Sequence, residues 1–552
     1  MTAFEPTDRL YTSWNSELTN VNPIEERLLL GDTIYSSNSI IKNSPYRCNT
    51  IPGILVFDGR TFGRNSNGKT LYKCVPNNIR LPIFLVPYTQ KKTSFSKNKV
   101  NKYILFKFDS WNSSQKHPFG MITNTLGNVD DFGVYCEYQL YCRNIQVSIQ
   151  KFHKIVNEKI SRFKNLDNVI DVILAKYDIE ERLDTNIIAI DPEGSLDYDD
   201  ALGLIEMASG DYILSIYITN VAIIFELLGL WNDLTDRISS IYLPDKKRSM
   251  LPAGLSESLC SLVSGSKSIV LAMDITLDSN YQIKSIEFHN CVISVNNNYT
   301  YESDMLYKDP LYHELKKCSS RMLGKYPYLD TIEDSHDVVA YFMILMNHQC
   351  GKQLALQSTG IFRNATLTSN TITKDVPHDI QKFVNYYKQT GGTYCTFINN
   401  KGHEMIGEGV DYYAQVTSPI RRIVDLINMT ILQDTYKMIQ ISNECQTFVT
   451  KWLENVNIIN LFTKNVKKVQ NDCNLLYRSI QQSSEKELVD GYMIERLNDT
   501  KYLVYIPALS MKSIFISSKT FHTFEKQSFT IYTFMDEATL QKKVQLQLFT
   551  EE

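Results

Sequence analysis

The chain is poor in the signals that mark several common protein classes. Its 11 cysteines are scattered singly from Cys48 to Cys473, with no Cys-x-x-Cys pair, and none of its 9 histidines sits at zinc spacing beside a cysteine. Reduced, buried thiols in a reducing compartment are expected. Glycine (23) and proline (16) are too few for a collagen-like or low-complexity chain. No apolar run reaches the roughly 18 residues of a spanning helix. The nearest, Val221–Trp231, is broken by Glu226, so no membrane partner is expected. Met1-Thr2-Ala3-Phe4-Glu5-Pro6 lacks the basic and apolar regions of a signal peptide. The expectation is a soluble intracellular protein, with cytoplasm and nucleus not distinguished. Positive charge is not in excess either, since 57 basic against 61 acidic residues leave a net −4. Whole-chain charge does not announce nucleic-acid binding, although a basic groove can sit on an acidic chain.

What is present points to a folded, multidomain protein. A length of 552 residues with 43% hydrophobic and 11% aromatic content excludes wholesale disorder and implies roughly three to four domains. Residues 1–45 form a mixed, polar N-terminal segment. In 46–147, short β-rich runs such as Gly53-Ile54-Leu55-Val56-Phe57 and Tyr103-Ile104-Leu105-Phe106 alternate with turn residues, the pattern of a small β-barrel or sandwich. A lysine-rich loop there (Lys91, Lys92, Lys97, Lys99, Lys102) fits a solvated loop as well as a phosphate-contacting one. Residues 148–185 read as a helical linker and 186–482 as a large mixed α/β core. Within that core, helices are expected over Ser335–Gln357 with Ser335 as N-cap, after Pro377, from Thr417-Ser418-Pro419, and over 450–482. Residues 483–552 return to short strands, a second small β module. Such OB-type modules commonly hold single-stranded nucleic acid.

The most informative stretch is Ile190-Asp191-Pro192-Glu193-Gly194-Ser195-Leu196-Asp197-Tyr198-Asp199-Asp200, flanked by apolar runs. If Asp191 ends a strand and Asp197–Asp200 curl back, several carboxylates converge. Anions so placed repel one another unless a cation neutralises them, and hard oxygen donors suit Mg²⁺ or Mn²⁺. A solvated acidic turn is the rival reading. A calcium loop fails on spacing, because Leu202 and Ala208 fall where its glycine and glutamate belong.

The second constellation is Thr417-Ser418-Pro419-Ile420-Arg421-Arg422-Ile423-Val424-Asp425. With Thr417 or Ser418 as cap, Arg421 and Arg422 fall in the first helical turn. There they oppose the helix dipole at about 0.3–1 kcal/mol each, unless a phosphate relieves them. The rival is an internal Arg–Asp pair, for instance with Asp425.

Together these segments resemble the ribonuclease II/R (RNB) family, whose eukaryotic branch includes the exosome's catalytic exonuclease. Asp191, Asp197, Asp199 and Asp200 match its first signature. Thr417–Arg422 with Asp425-Leu426 match its second. Tyr242-Leu243-Pro244, Met250-Leu251-Pro252, Leu259-Cys260-Ser261-Leu262 and Tyr299-Thr300-Tyr301 follow in family order. Asp109-Ser110-Trp111 and His117-Pro118-Phe119-Gly120 look like the second cold-shock domain of the eukaryotic branch, and residues 1–45 like a remnant of a first.

The resemblance implies a mixed α/β RNB catalytic domain flanked by small OB-type β-barrels. It implies a processive, hydrolytic 3′→5′ exoribonuclease that releases nucleoside 5′-monophosphates from the 3′ end of single-stranded RNA. Asp191, Asp197, Asp199 and Asp200 would hold Mg²⁺, with Mn²⁺ as substitute. Asp199, Asp200 and Arg421 would be the catalytic positions, and Tyr242, Tyr301, Arg421 and Arg422 the RNA contacts. A helicase or degradation complex is the implied protein partner. The alternative on the same fold is a catalytically inactive RNA-binding protein.

The chain reads as a short, divergent form. Tyr217-Ile218-Thr219-Asn220 stands where the family has His-Ile-Ala-Asp, and Lys267-Ser268 where it has Asp-Arg. Ala340 and Tyr341 replace glutamates, Gln415 a histidine, and Met429-Thr430 a His-Arg pair. None of these is an expected metal ligand.

Overall fold

A computed structural model describes the chain apart from residues 16–20, 36–38, 90–99, 366–376, 378–379, 382, 384–391, 405, 407–409, 482–487, 510 and 550–552. The chain forms two compact units. Residues 1–146, 243–246 and 467–552 make the first, and 147–242 with 247–466 the second.

In the first unit, strands Ile51–Val56, Thr70–Pro76, Phe84–Tyr88, Phe119–Asn128 and Lys102–Ser110 close, in that order, into a barrel. Alternating apolar residues fill it, with Phe84 and Phe106 meeting edge to face at 4.9 Å. Gly120 is required where it stands, because a Cβ there would come within 2.7 Å of the Phe106 ring. The N-terminal segment is not a barrel. Its described strands, Thr2–Ala3, Thr33–Ile34 and Ile40–Ile41, make a small three-stranded sheet. It has no core of its own: Phe4, Tyr11, Leu28, Leu29 and Ile34 share one apolar cluster with Ile51, Leu55, Phe84 and Phe106 of the barrel. Each such side chain removed from water contributes about 1.5–3 kcal/mol. Asp32, fully buried there, is held by Arg47 at 2.6 Å and by the Leu29 and Ser44 amides. Of the lysine-rich loop, Lys91–Lys99 lie outside the described residues. Lys102 opens a strand and donates to Asn128 Oδ1.

The C-terminal strands form an antiparallel sheet in the order Met511–Ile516, Lys501–Ile506, Leu488–Arg496, Lys526–Met535, Lys542–Leu548. Its ladder stays open, as OB folds partly do. A polar relay stitches it to the barrel: Gln139 Nε2 donates to Gln541 Oε1 and Gln541 Nε2 to Asn77 Oδ1, both at 2.7 Å.

The second unit is built on a seven-stranded mixed sheet. Its order is Asn297–Thr300, Ile188–Asp191, Asp200–Glu206, Tyr212–Thr219, Lys267–Leu277, Ile283–Ser294, Glu180–Arg182. The pairings of Ile188–Asp191 with Asn297–Thr300 and of Ile283–Ser294 with Glu180–Arg182 are parallel; the rest are antiparallel. Among its helices are Gln150–Ile160, Leu166–Lys176, Val221–Leu228, Pro310–Leu323, Ser335–Leu356, Ile423–Thr435 and Asn443–Glu454. The long helix Val456–Gln481 begins in this unit, and its residues from Lys467 on belong to the first.

Two helix starts differ from expectation. The cap of Ser335–Leu356 is Asp334, which forms a reciprocal capping box with Asp337; the Ser335 hydroxyl instead donates to the Tyr301 carbonyl at 2.7 Å. The helix expected from Thr417 begins only at Ile423. Most of the segment expected to be helical after Pro377 lies outside the described residues. Among the described residues no helix is long and apolar enough to cross a membrane.

Candidate active site

The acidic loop lies where two central strands end. Asp191 is the last residue of its strand and pairs with Thr300 in parallel register, while Asp200 opens the next strand opposite Ile218. Between them Gly194 takes a left-handed φ of 77° that turns the chain back. The loop is pinned from below. Ser261 Oγ accepts from the Tyr198 amide at 3.0 Å and donates to the Leu196 carbonyl at 2.8 Å. The Leu262 amide reaches the Tyr198 carbonyl, and the Thr219 amide the Asp199 carbonyl. The Cys260-Ser261-Leu262 segment therefore has a definite task, which is to set the loop's shape.

The second constellation closes on this loop from more than 200 residues away. The Ile420 amide donates to Asp199 Oδ1 at 3.0 Å and Arg421 Nε to Asp199 Oδ2 at 2.9 Å. The segment is itself held by Ser240, whose amide donates to the Arg421 carbonyl, and by the Ile423 amide, which reaches Ile238. Ser418–Arg421 is a turn, and Arg422 takes the helix N-cap with extended backbone. Neither arginine sits in a helical turn, so the expected dipole penalty does not arise. The two side chains part company. Arg421 stays 42% exposed beside the carboxylates. Arg422 Nη2 turns to Asp425, fully buried, at 2.7 Å, which is the internal pair considered as the rival reading.

The four aspartates are not equivalent. Asp199 spends both oxygens on Ile420 and Arg421. Asp197 Oδ1 meets the ammonium of Lys247 at 2.5 Å. Among the described residues neither Asp191 nor Asp200 has such a cation. Burial, then the charge of Asp199, pushes the Asp191 carboxyl up to about 7. Burial also lifts Asp199 to about 6 in spite of Arg421. Removal from water there outweighs the ion pair. Asp200 is raised well above the usual carboxylate range by burial and by the charges of Asp191 and Asp199. All three therefore lie within one another's fields.

Tyr301 borders the same cluster. Burial and the charges of Asp200 and Asp191 raise its phenol, and its ring stacks on His336 at 3.8 Å. Tyr242 lies in the field of Arg421, Asp197 and Asp199 and remains 43% exposed. Of the residues singled out from the sequence, Asp191, Asp197, Asp199, Asp200, Arg421, Tyr242 and Tyr301 come together, and Arg422 stands behind them. Sequence reasoning missed Lys247 and His336. The turn signal Pro244-Asp245 could have exposed Lys247, because it makes Tyr242 and Lys247 cross-strand partners.

Among the described residues no group of three or more His, Cys, Asp or Glu side chains stands ready-made around a metal position. Asp191 Oδ2 and Asp197 Oδ2 are nevertheless buried without hydrogen-bond partners. Mg²⁺ keeps several waters and needs only one or two carboxylates, with substrate phosphates completing its shell. The open oxygens of Asp191 and Asp197, with Asp200 in the field of Asp191, fit an ion of that kind.

Residues 179–310 match the RNB domain family, and residues 71–141 match the Dis3-like cold-shock domain 2 family. The chain thus carries a Dis3-like cold-shock domain followed in sequence by an RNB domain, as the resemblance to the ribonuclease II/R family implied. Ribonuclease R of Chlamydia muridarum is 23% identical over 399 residues, 60% of this chain and 56% of that protein. The chain spans just over half the length of that relative. Mycoplasma genitalium RNase R, solved in complex with ribose-methylated single-stranded RNA, shares the fold with a TM-score of 0.69 at 16% identity, over 94% of this chain and 95% of that one. Yeast Ssd1, described as a pseudonuclease, shares it with a TM-score of 0.57 at 14% identity, over 89% of this chain and 67% of that one.

Proposed function

We propose that the chain is a divalent-metal-dependent 3′→5′ exoribonuclease that hydrolyses single-stranded RNA processively from its 3′ end and releases nucleoside 5′-monophosphates. The observation that carries this reading is the pair Asp191 and Asp200. Among the described residues no cation pairs with either, although burial and neighbouring charge raise them. A fold gains nothing from such a pair, and a bound cation removes the penalty.

In this reading Asp191 and Asp200 hold Mg²⁺, or Mn²⁺ in its place, with Asp197 and Asp199 completing the negative field. The ion supplies an activated water and charge stabilisation at the scissile phosphate. Arg421, its Nε fixed by Asp199, offers its remaining guanidinium N–H groups to that phosphate. Its charge is useful because it is already positioned before charge develops. Tyr242 offers a half-exposed ring to a terminal base, and such stacking is tolerant of sequence, as a processive enzyme requires. Tyr301, packed on His336, borders the same position. Arg422 supports the turn through Asp425 rather than touching RNA. A helicase or degradation complex that delivers a free 3′ end is the partner class this activity calls for.

The second reading, an RNA-binding protein without activity, is favoured by the likeness to a pseudonuclease, since one fold serves both. A 5′-labelled single-stranded RNA incubated with the protein and Mg²⁺ separates them. Shortening to small end products that is lost in Asp200→Asn supports the nuclease. Stable binding without shortening selects the second reading.

A further inference from the structure

Lys247 is a cation of the acidic loop that the reaction above leaves without a task. Its Nζ lies 2.5 Å from Asp197 Oδ1, and the Asp197 side chain is only 9% exposed. The antiparallel pairing of Lys247–Arg248 with Ile241–Tyr242 sets Lys247 directly across from Tyr242. The ammonium stands 5.5 Å from that ring's centroid, close enough for a cation–π attraction. A carboxylate and an aromatic face therefore hold it in place before any ligand arrives.

Charge counting gives this contact a meaning. Four carboxylates face Lys247 and Arg421, and Arg421 is already committed to Asp199. With all four ionised, as a bound cation requires, two negative charges remain, which one divalent cation balances. A second such ion would have to compete with the ammonium for Asp197. Phosphodiester-cleaving centres often use two ions about 3.5–4 Å apart.

We propose that the Lys247 ammonium takes the place of a second divalent cation, so that the protein binds one such ion, at Asp191 and Asp200, rather than two. This rests on the reading that the cluster holds a metal ion. A fixed charge of this kind needs no recruitment from solution. It also keeps Tyr242, across the hairpin, in register with the loop.

The test is a count of bound ions. The full chain is titrated with Mn²⁺ alone, and free Mn²⁺ is followed by electron paramagnetic resonance. The expected result is one ion per chain for wild type and for Lys247→Arg, and two for Lys247→Met, where Asp197 is released beside Asp191. Two ions in wild type, or still one in Lys247→Met, overturn the role of Lys247 while leaving metal binding intact. No bound Mn²⁺ in wild type overturns both this proposal and the functional reading beneath it. Should Lys247→Met fail to fold, Asp197→Asn decides. Retention of one ion, lost only in Asp200→Asn, is expected, and loss of the ion in Asp197→Asn overturns the proposal.

Discussion

Two sets of buried polar side chains in the second unit are treated in opposite ways. Asn220, at the end of the strand Tyr212–Thr219, donates to Asn290 Oδ1 at 2.9 Å and to Gln433 Oε1 at 3.0 Å. Its own Oδ1 accepts from Gln433 and from the Ile223 amide. Both donors and both acceptor positions of that amide are filled, and no charge is taken out of water. Asp191 and Asp200, on neighbouring strands of the same sheet, are the reverse case. They are acids that burial and one another's fields disfavour in the charged form, and one Asp191 oxygen has no partner. A polar group completed inside the fold builds the fold. In the proposed reading, a carboxylate pair left incomplete serves binding at a cost to stability.

The sharpest way to break this contrast is Asp200→Asn. The rate of RNA shortening should fall by on the order of 10³-fold or more, because several kcal/mol of charge stabilisation are lost. Melting in EDTA should stay level or rise, because a repulsion is gone. A fall in both would mean that Asp200 is structural. Next come the two arginines. Arg422→Ala leaves Asp425 buried and unpaired and should cost about 3–5 kcal/mol in urea denaturation. Arg421→Ala should cost less in stability, yet slow the reaction on the order of 10²–10³-fold.

Gln433→Leu tests the other side. It leaves Asn220 partly unsatisfied, for about 1–3 kcal/mol of stability, with activity per folded molecule retained. The smallest effect is on pH. Asp191 and Asp199 titrate near 7 and 6 in the folded chain, above their ordinary carboxylate values. Without metal, the native state therefore holds protons that the unfolded chain has released. Its stability should fall as pH rises from about 4 to about 7. Urea midpoints in EDTA should drop across that window, added Mg²⁺ should restore more at the alkaline end, and Asp191→Asn should flatten the curve.

Much of this was legible in the residues. Short β-rich runs separated by turn residues announced the barrel strands, and four aspartates between apolar strands announced the acidic loop. The fate of each arginine was not legible. Arg421 and Arg422 are chemically identical neighbours, and a one-residue difference in backbone direction sends one to Asp199 and the other to Asp425. The late start of the helix at Ile423 was hidden because Ser418-Pro419 is a good capping signal; the contacts of Ile238 and Ser240 hold the following residues in a turn instead. The N-terminal segment gave no local sign that its leucines complete the barrel's core, since that core is shared across the chain.

The amino-acid order alone determined which donors and acceptors exist and how closely they follow one another. Spacing along one strand–loop–strand suffices to gather Asp191, Asp197, Asp199 and Asp200. Only the folded chain decided which of them are neutralised from within. That choice depends on an arginine 222 positions away and on the register of a short hairpin. Charge pairing falls off with distance through space, and distance along the chain does not report it.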